Sequence, residues 1–146
     1  MTDRFVDFWR GFSERLAAAG VPAWRVSLHM MTLHPEIRAA AYFYWAEDGR
    51  VEREEYAHRT ANSGQYLHSP IRVLVEGRAA EVRHRLCDLA PPYPYPVFEE
   101  LAAKGATDYV LIGLPLVTGR QAAIGLVSTA PTASMPNRAS FASWSA

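Results

Sequence analysis

The chain opens with apolar residues at helical spacing and continues, from residue 24, with side chains that alternate between apolar and polar. In residues 3–19 the apolar positions fall on one side of a helix, which predicts an amphipathic helix that Gly20 and Pro22 end. Its apolar stripe contains four aromatic residues: Phe5, Phe8, Trp9 and Phe12. The stripe either packs on its own domain or also meets a second copy of the chain, and the second alternative predicts a homodimer through these residues.

Three strand-like runs follow, at residues 24–30, 40–46 and 51–58. The run Glu47-Asp48-Gly49-Arg50 lies between the second and third and is a strong short-range hairpin signal, so an antiparallel meander is expected. The second run is apolar on both faces, which predicts a strand covered on each side. The third is rich in charged residues, which predicts an edge strand.

The second half of the chain repeats these patterns. Short helices are predicted from Ser69-Pro70 to Gly77 and over residues 97–104, and strands over 80–86, 109–117 and 122–129. The last two runs are almost wholly apolar, as in strands at the centre of a sheet. The whole predicts an α+β domain over residues 1–130, with a six-stranded antiparallel sheet and helices on both faces. Residues 131–146, rich in Ser, Ala and Pro, are either a weak helix or a disordered tail.

Composition narrows the class of protein. The 146 residues are 49% apolar and 21% charged, which is ordinary for a single globular domain, and the net charge of zero argues against nucleic acid as a partner. No apolar run approaches the roughly 20 residues that span a bilayer, and the acidic, amphipathic N-terminus does not resemble a signal peptide. Cys87 is the only cysteine, so no internal disulfide forms, and we expect a cytoplasmic protein without membrane partners.

Hydroxyl and imidazole groups near the meander make the first candidate ligand site. We expect tyrosines and histidines at the rim of an apolar cleft to bind a small molecule, with this set: His34, Tyr42, Tyr44, Tyr56, His58 and Tyr66. The alternative is an aromatic core with hydroxyls at the surface, and a turn in which the His34 ring holds the backbone. Both alternatives remain open.

Other polar residues have structural interpretations. Asp108 precedes an apolar strand and is expected to form an ion pair, for example with Arg25 or Arg72. The remaining histidines lack the tight spacing of metal or haem ligands, so neither cofactor is expected: His29, His68 and His84. Cys87 is expected to be a buried, inert thiol, since a redox sensor needs a basic neighbour and only Arg85 is near in sequence.

Four short runs carry a resemblance to a known family: PAWRVSL at 22–28, TLHPE at 32–36, SP at 69–70 and GATDY at 105–109. Over about residues 5–130 the chain resembles the N-terminal GAF-like regulatory region of bacterial class III adenylate and guanylate cyclases. The resemblance implies a GAF/PAS-type sensor fold, in which the segment that begins at Tyr66 closes the ligand pocket, and a parent family that makes cyclic AMP. The cyclase domain itself and its paired metal-binding aspartates are absent from these residues, so we expect no catalysis by this polypeptide.

Three functional hypotheses follow. The first is a dimeric sensor domain that binds a small molecule and controls an output domain. The second is a small stand-alone enzyme that uses His34, His58 or Asp108 in a cleft, which requires two titratable groups to converge. The third is a dimerisation module without a ligand. The sequence names no ligand.

Overall fold

The computed structural model describes residues 4–31, 37–57, 69–115 and 121–130, and these form one sheet with helices packed on its two faces. The helices are α1 (Arg4–Ala18), α2 (Pro70–Val75) and α3 (Pro96–Ala103), with a 3-10 turn at Leu86–Asp88. The strands are β1 (Arg25–Met31), β2 (Ile37–Trp45), β3 (Arg50–Ala57), β4 (Glu81–His84), β5 (Asp108–Pro115) and β6 (Gln121–Ser128). The predicted α+β class, with a six-stranded antiparallel sheet, is confirmed.

The strand order is β3-β2-β1-β6-β5-β4, and every neighbouring pair is antiparallel. The charged strand β3 lies at one edge, as its sequence predicts, and the apolar strands β5 and β6 are both inner strands. The centre of the sheet is the pair β1 and β6, because β1 pairs with β2 on one side and with β6 on the other. The sheet therefore consists of two three-stranded meanders joined along β1 and β6.

Helix α1 covers the first face of the sheet. Trp9, only 2% exposed, packs there with Val26, Leu126 and Val110, and its indole N–H donates to the carbonyl oxygen of Val26 at 3.3 Å. Burial of an aromatic ring of this size is a large favourable term, and the hydrogen bond fixes the position of the helix along β1. Trp9 thus belongs to the core of its own domain, and Phe5 and Phe12 pack against that core.

The second face is covered by α2, the 3-10 turn and α3, mainly over β4, β5 and β6. Phe98 and Leu111 are fully buried there, and Phe98 packs edge-on against Tyr109 with ring centroids 4.9 Å apart. Burial raises the pKa of Tyr109, so its hydroxyl stays protonated. This half of the second face is packed core.

Asp108 is fully buried at the start of β5 and forms an ion pair with an arginine, as expected of it. The arginine is Arg83, whose Nη2 donates to Asp108 Oδ2 at 3.1 Å, while Arg72 pairs with Glu76 at 2.6 Å. Arg83 reaches Asp108 because β4 pairs with β5 and places Arg83 opposite Val110, two residues along the strand. The pairing depends on strand register, which neighbouring sequence does not show.

Candidate functional site

The second face over β1, β2 and β3 carries a different set of side chains from the packed core beside it. Strand register places Ser27 of β1 between Phe43 of β2 and Gly125 of β6. Two residues earlier on β1, Arg25 lies opposite Trp45 of β2, which in turn lies opposite Arg50 of β3. Side chains at directly opposed positions point to the same face. Hydroxyl, imidazole, guanidinium and aromatic groups therefore converge on this half of the second face.

Ser27 and His29 form a hydrogen-bonded pair on β1. The imidazole Nε2 lies 3.0 Å from Ser27 Oγ, and Ser27 is 1% exposed. The His29 ring also packs edge-on against Phe43, with centroids 5.7 Å apart and an interplanar angle of 85°. Two neighbours on two strands thus fix the ring.

The imidazole of His29 is neutral at physiological pH. Burial, and secondarily the positive charge of Arg25, lower the pKa of His29 to about 3. A neutral imidazole offers one N–H donor and one acceptor nitrogen, and the contact with Ser27 uses Nε2. Chemically the pair is a hydrogen-bonding element, since a base of such low pKa is poorly matched to proton abstraction near pH 7 and Ser27 is shielded from solvent.

An aromatic and cationic cluster lies beside this pair, centred on Trp45. Trp24 packs edge-on against Trp45 with centroids 5.1 Å apart and an interplanar angle of 76°. Three cations approach the Trp45 ring: Arg25 at 5.8 Å, Arg50 at 5.3 Å and Lys104 at 6.0 Å from its centroid. Arg25 also lies 5.1 Å from the Phe43 ring, so that it bridges the two rings of β2.

Two of the four tyrosines named from the sequence lie on the other face of the sheet. Tyr42 and Tyr44 lie on the first face, where Tyr42 packs on Phe5 at 4.5 Å and Tyr44 is 6% exposed in the core below α1. Alternation along β2 explains this, because it sends Phe43 and Trp45 to the opposite face. The backbone of Tyr56 pairs with Ala39. The side chain of Tyr56 and the whole of His34, His58 and Tyr66 lie outside the described residues.

The four aromatic residues expected at a dimer contact divide into two groups. Trp9 is inside the domain, and Phe5 and Phe12 are half-buried against the same core. Phe8 is 59% exposed, the only large apolar side chain so exposed among the described residues, and its ring contacts Phe5 and Phe12. Of the four, Phe8 is therefore the one whose ring lies mainly at the surface.

The described part of the chain contains no group of side chains that could bind a metal ion. No three His, Cys, Asp or Glu side chains there are close enough to hold a metal ion; His29 and His84 lie on different strands, and His68 is outside the described ranges. The expectation of a buried Cys87 is wrong: the thiol is exposed, because the 3-10 turn directs Leu86 inward instead. Arg85 Nη2 lies 3.9 Å from the Cys87 sulfur. None of the described helices has both the length and the apolar character to cross a bilayer.

No family model and no curated protein matches the chain. Among solved structures, it is similar to the crystal structure of the GAF domain of a two-component sensor histidine kinase from Bacillus halodurans. The TM-score is 0.59 at 12% identity, over 94% of this chain and 84% of that one. At such low identity the likeness concerns the fold alone, and it confirms that this chain has a GAF-like fold.

Proposed function

We propose that this chain is a regulatory domain that binds a small molecule on the second face of its sheet, over β1, β2 and β3, and thereby controls an output domain. The observation that carries the proposal is the convergence of Ser27, His29, Phe43, Arg25 and Trp45 on that face of a GAF-like fold. A few fixed polar groups among aromatic rings are what small-molecule sites use for orientation and specificity. The tyrosines and histidines named from the sequence whose side chains are not described remain part of the proposal: His34, Tyr56, His58 and Tyr66.

The neighbouring half of the same face supports this position by contrast. Over β4, β5 and β6, helices α2 and α3 cover the sheet with a closed apolar core that includes Leu74 and Phe98. Over β1 and β2 the same face presents hydrogen-bonding and charged groups instead. On the inner strand β1, Ser27 and His29 satisfy each other's hydrogen bond, so the imidazole is held in a fixed position from which it can contact a ligand.

The link to nucleotide cyclases is supported by sequence resemblance. One of the runs that carry this resemblance, GATDY at 105–109, has a structural role. Thr107, in the GATDY run, donates through Oγ1 to the carbonyl oxygens of Ala130 at 2.7 Å and Ser128 at 3.2 Å. The next residue, Asp108, holds Arg83. The Thr107 contacts fasten the start of β5 to the end of β6, and the Asp108 pair links β5 to β4, so the run maintains the fold. In our proposal the output domain is a nucleotide cyclase, and whether the reading frame continues into a catalytic domain tests that part.

Dimerisation through α1 completes the proposal. Phe8 supplies an exposed apolar contact on the helix that Trp9 fastens to β1, the strand that also carries Ser27 and His29. Ligand contacts on one face of β1 and helix contacts on the other would act on the same strand. A shift of α1 against β1 is the kind of small helix displacement that can change the geometry of a dimer.

Native mass spectrometry of the purified protein tests the ligand. We expect the protein to retain a small molecule, or to take one up from an extract of metabolites below about 1 kDa. Phe43→Leu, on the second face, should weaken this binding. Tyr42→Phe, on the first face of the same strand, is the matched control and should bind as the wild type does. A folded protein that takes up nothing from any extract would contradict the proposal and favour the ligand-free dimerisation module.

A further inference from the structure

Three positive charges from three separate elements meet around a single aromatic ring at one end of the sheet. Arg25 comes from β1, Arg50 from the start of β3 and Lys104 from the residue after α3, and all lie within 6.0 Å of the Trp45 ring centroid. Lys104 is the single lysine of the chain. A cluster of this sign at one place raises the local concentration of anions.

The chain neutralises only part of this charge. Arg50 pairs with Asp48 at 2.9 Å and with Glu52 at 2.7 Å, so two carboxylates more than compensate its charge. The three cations and these two carboxylates together leave one net positive charge around the ring. Lys104 forms no ion pair with any described carboxylate. The ammonium of Lys104 is thus a cation beside Trp45 without a described counter-charge.

The Trp45 indole N–H is the second observation. The nitrogen is buried and has no hydrogen-bond acceptor among the described residues. Cations over the ring interact with its π face, whereas the N–H lies in the ring plane, so the cations leave this donor unsatisfied. Buried donors in proteins nearly always have an acceptor, and a donor without one calls for an explanation.

We propose that Trp45 and Lys104, with the flanking guanidinium of Arg25, bind an oxyanion of a small molecule, that is, a carboxylate or a phosphate. Every polar group in this set is a donor, and an oxyanion supplies acceptors to several donors at once. This deepens the proposed function, on which it rests, by naming the charged group of the ligand on the same face. The site lies at the Trp45 end of the cluster. His29 lies further along β1, held by Ser27, where it can contact the remainder of the ligand.

The test uses the intact chain with its tryptophans labelled with 15N. The four tryptophans give four indole N–H resonances, and Trp45→Phe identifies the resonance of Trp45. Inorganic phosphate and sodium acetate are titrated separately, with sodium chloride at matched ionic strength as the reference. We expect a saturable shift of the Trp45 resonance with at least one oxyanion, which also shows whether phosphate or carboxylate is preferred.

Lys104→Gln should weaken the apparent affinity about tenfold, as the loss of a charge-assisted contact does, and Lys104→Arg should largely restore it. Arg15→Gln removes the same charge from an exposed position on α1 and should leave affinity within about twofold. A shift that chloride reproduces, one that never saturates, or one that Arg15→Gln weakens as much as Lys104→Gln does, would overturn the oxyanion site. A neutral ligand retained in native mass spectrometry, with Trp45 unaffected, would overturn it while leaving the proposed function intact.

Discussion

Ser27 on β1 and Gly125 on β6 lie directly opposite each other at the centre of the sheet, and a Cβ atom at Gly125 would stand 2.5 Å from Ser27 Oγ. The same Cβ would lie 3.3 Å from the Leu111 side chain and 3.8 Å from His29 Nε2. The missing side chain of Gly125 therefore makes room for the Ser27–His29 pair. Gly125, which has no side chain, is thus part of the candidate site.

Gly125→Ala should destabilise the protein by about 1–3 kcal/mol, because the added methyl group must displace Ser27 Oγ from its position beside His29. Urea unfolding measures the change. Gly11→Ala, in the middle of α1 with nothing within 4 Å of its Cβ, is the matched control and should stabilise by roughly 0.5–1 kcal/mol.

The same contact predicts coupling between the two positions. In a Ser27→Ala background the hydroxyl oxygen is gone, so Gly125→Ala should cost less than it does in the wild type, by an interaction free energy of about 0.5 kcal/mol or more. A double-mutant cycle in urea gives this value. Strict additivity would show that the clash lies elsewhere, with Leu111 the remaining neighbour.

Stability should depend on pH through His29. Its pKa is about 3 in the folded state against 6.5 for the free side chain, so between these values the unfolded chain binds the extra proton. The free energy of unfolding should therefore fall as pH drops below 6.5, by about 2 kcal/mol between pH 7.5 and pH 5.0. His29→Gln should lose most of that dependence, and an unchanged slope in this variant would mean that other groups cause it.

Substitution of two neighbouring residues of α1 should change the free energy of unfolding by very different amounts. Trp9→Phe removes a buried hydrogen bond to Val26 and part of a core ring, and should cost about 1–3 kcal/mol in urea unfolding. Phe8→Glu changes an exposed side chain and should alter stability by less than about 0.5 kcal/mol.

Self-association should depend on Phe8 instead. In sedimentation velocity, Phe8→Glu should shift the protein to monomer, because it places a charge in the proposed apolar contact. Ala17→Glu adds the same charge at another exposed position on α1, on the opposite side of the helix, and should leave association unchanged. A wild-type protein that is monomeric at high concentration would rule out the dimer.

The ion pair between Arg83 and Asp108 should be stabilising mainly because it protects a buried charge. Arg83→Gln removes the guanidinium that donates to the fully buried Asp108 carboxylate and should cost about 1–3 kcal/mol, less than for a fully buried pair because Arg83 is 30% exposed. Arg83→Gln with Asp108→Asn should cost less than the sum of the single changes. An additive double mutant would show that the two charges are not coupled.

Local patterns were sufficient to predict most of the fold. The Asp48-Gly49 signal predicts the β2–β3 hairpin, and in the structure Gly49 has a φ of +71° while Asp48 Oδ1 accepts from the backbone N–H of Arg50 at 3.0 Å. The charges of residues 51–58 likewise predict an edge strand. These features depend on neighbours in sequence, which is why the sequence reveals them.

The candidate site depends on contacts that sequence neighbours do not reveal. The alternation in residues 24–30 predicts that Ser27 and His29 face the wetter side of β1, yet Ser27 is 1% exposed, since burial is decided by what covers the strand. Trp45 and Lys104 are brought together only when α3 has packed on the sheet. The one signal in the sequence is the pair of polar residues, Ser27 and His29, at alternate positions of β1, which share one face of the strand.

The pairing of β1 with β6 at the centre of the sheet has a consequence for synthesis on the ribosome. β1 is made early, but the strand that completes its inner ladder begins only at Gln121. Until then one edge of β1, which is partly apolar, is unpaired in the nascent chain and can pair with the wrong strand. Chaperone dependence and aggregation during translation should therefore concentrate in the interval before residues 121–128 leave the exit tunnel.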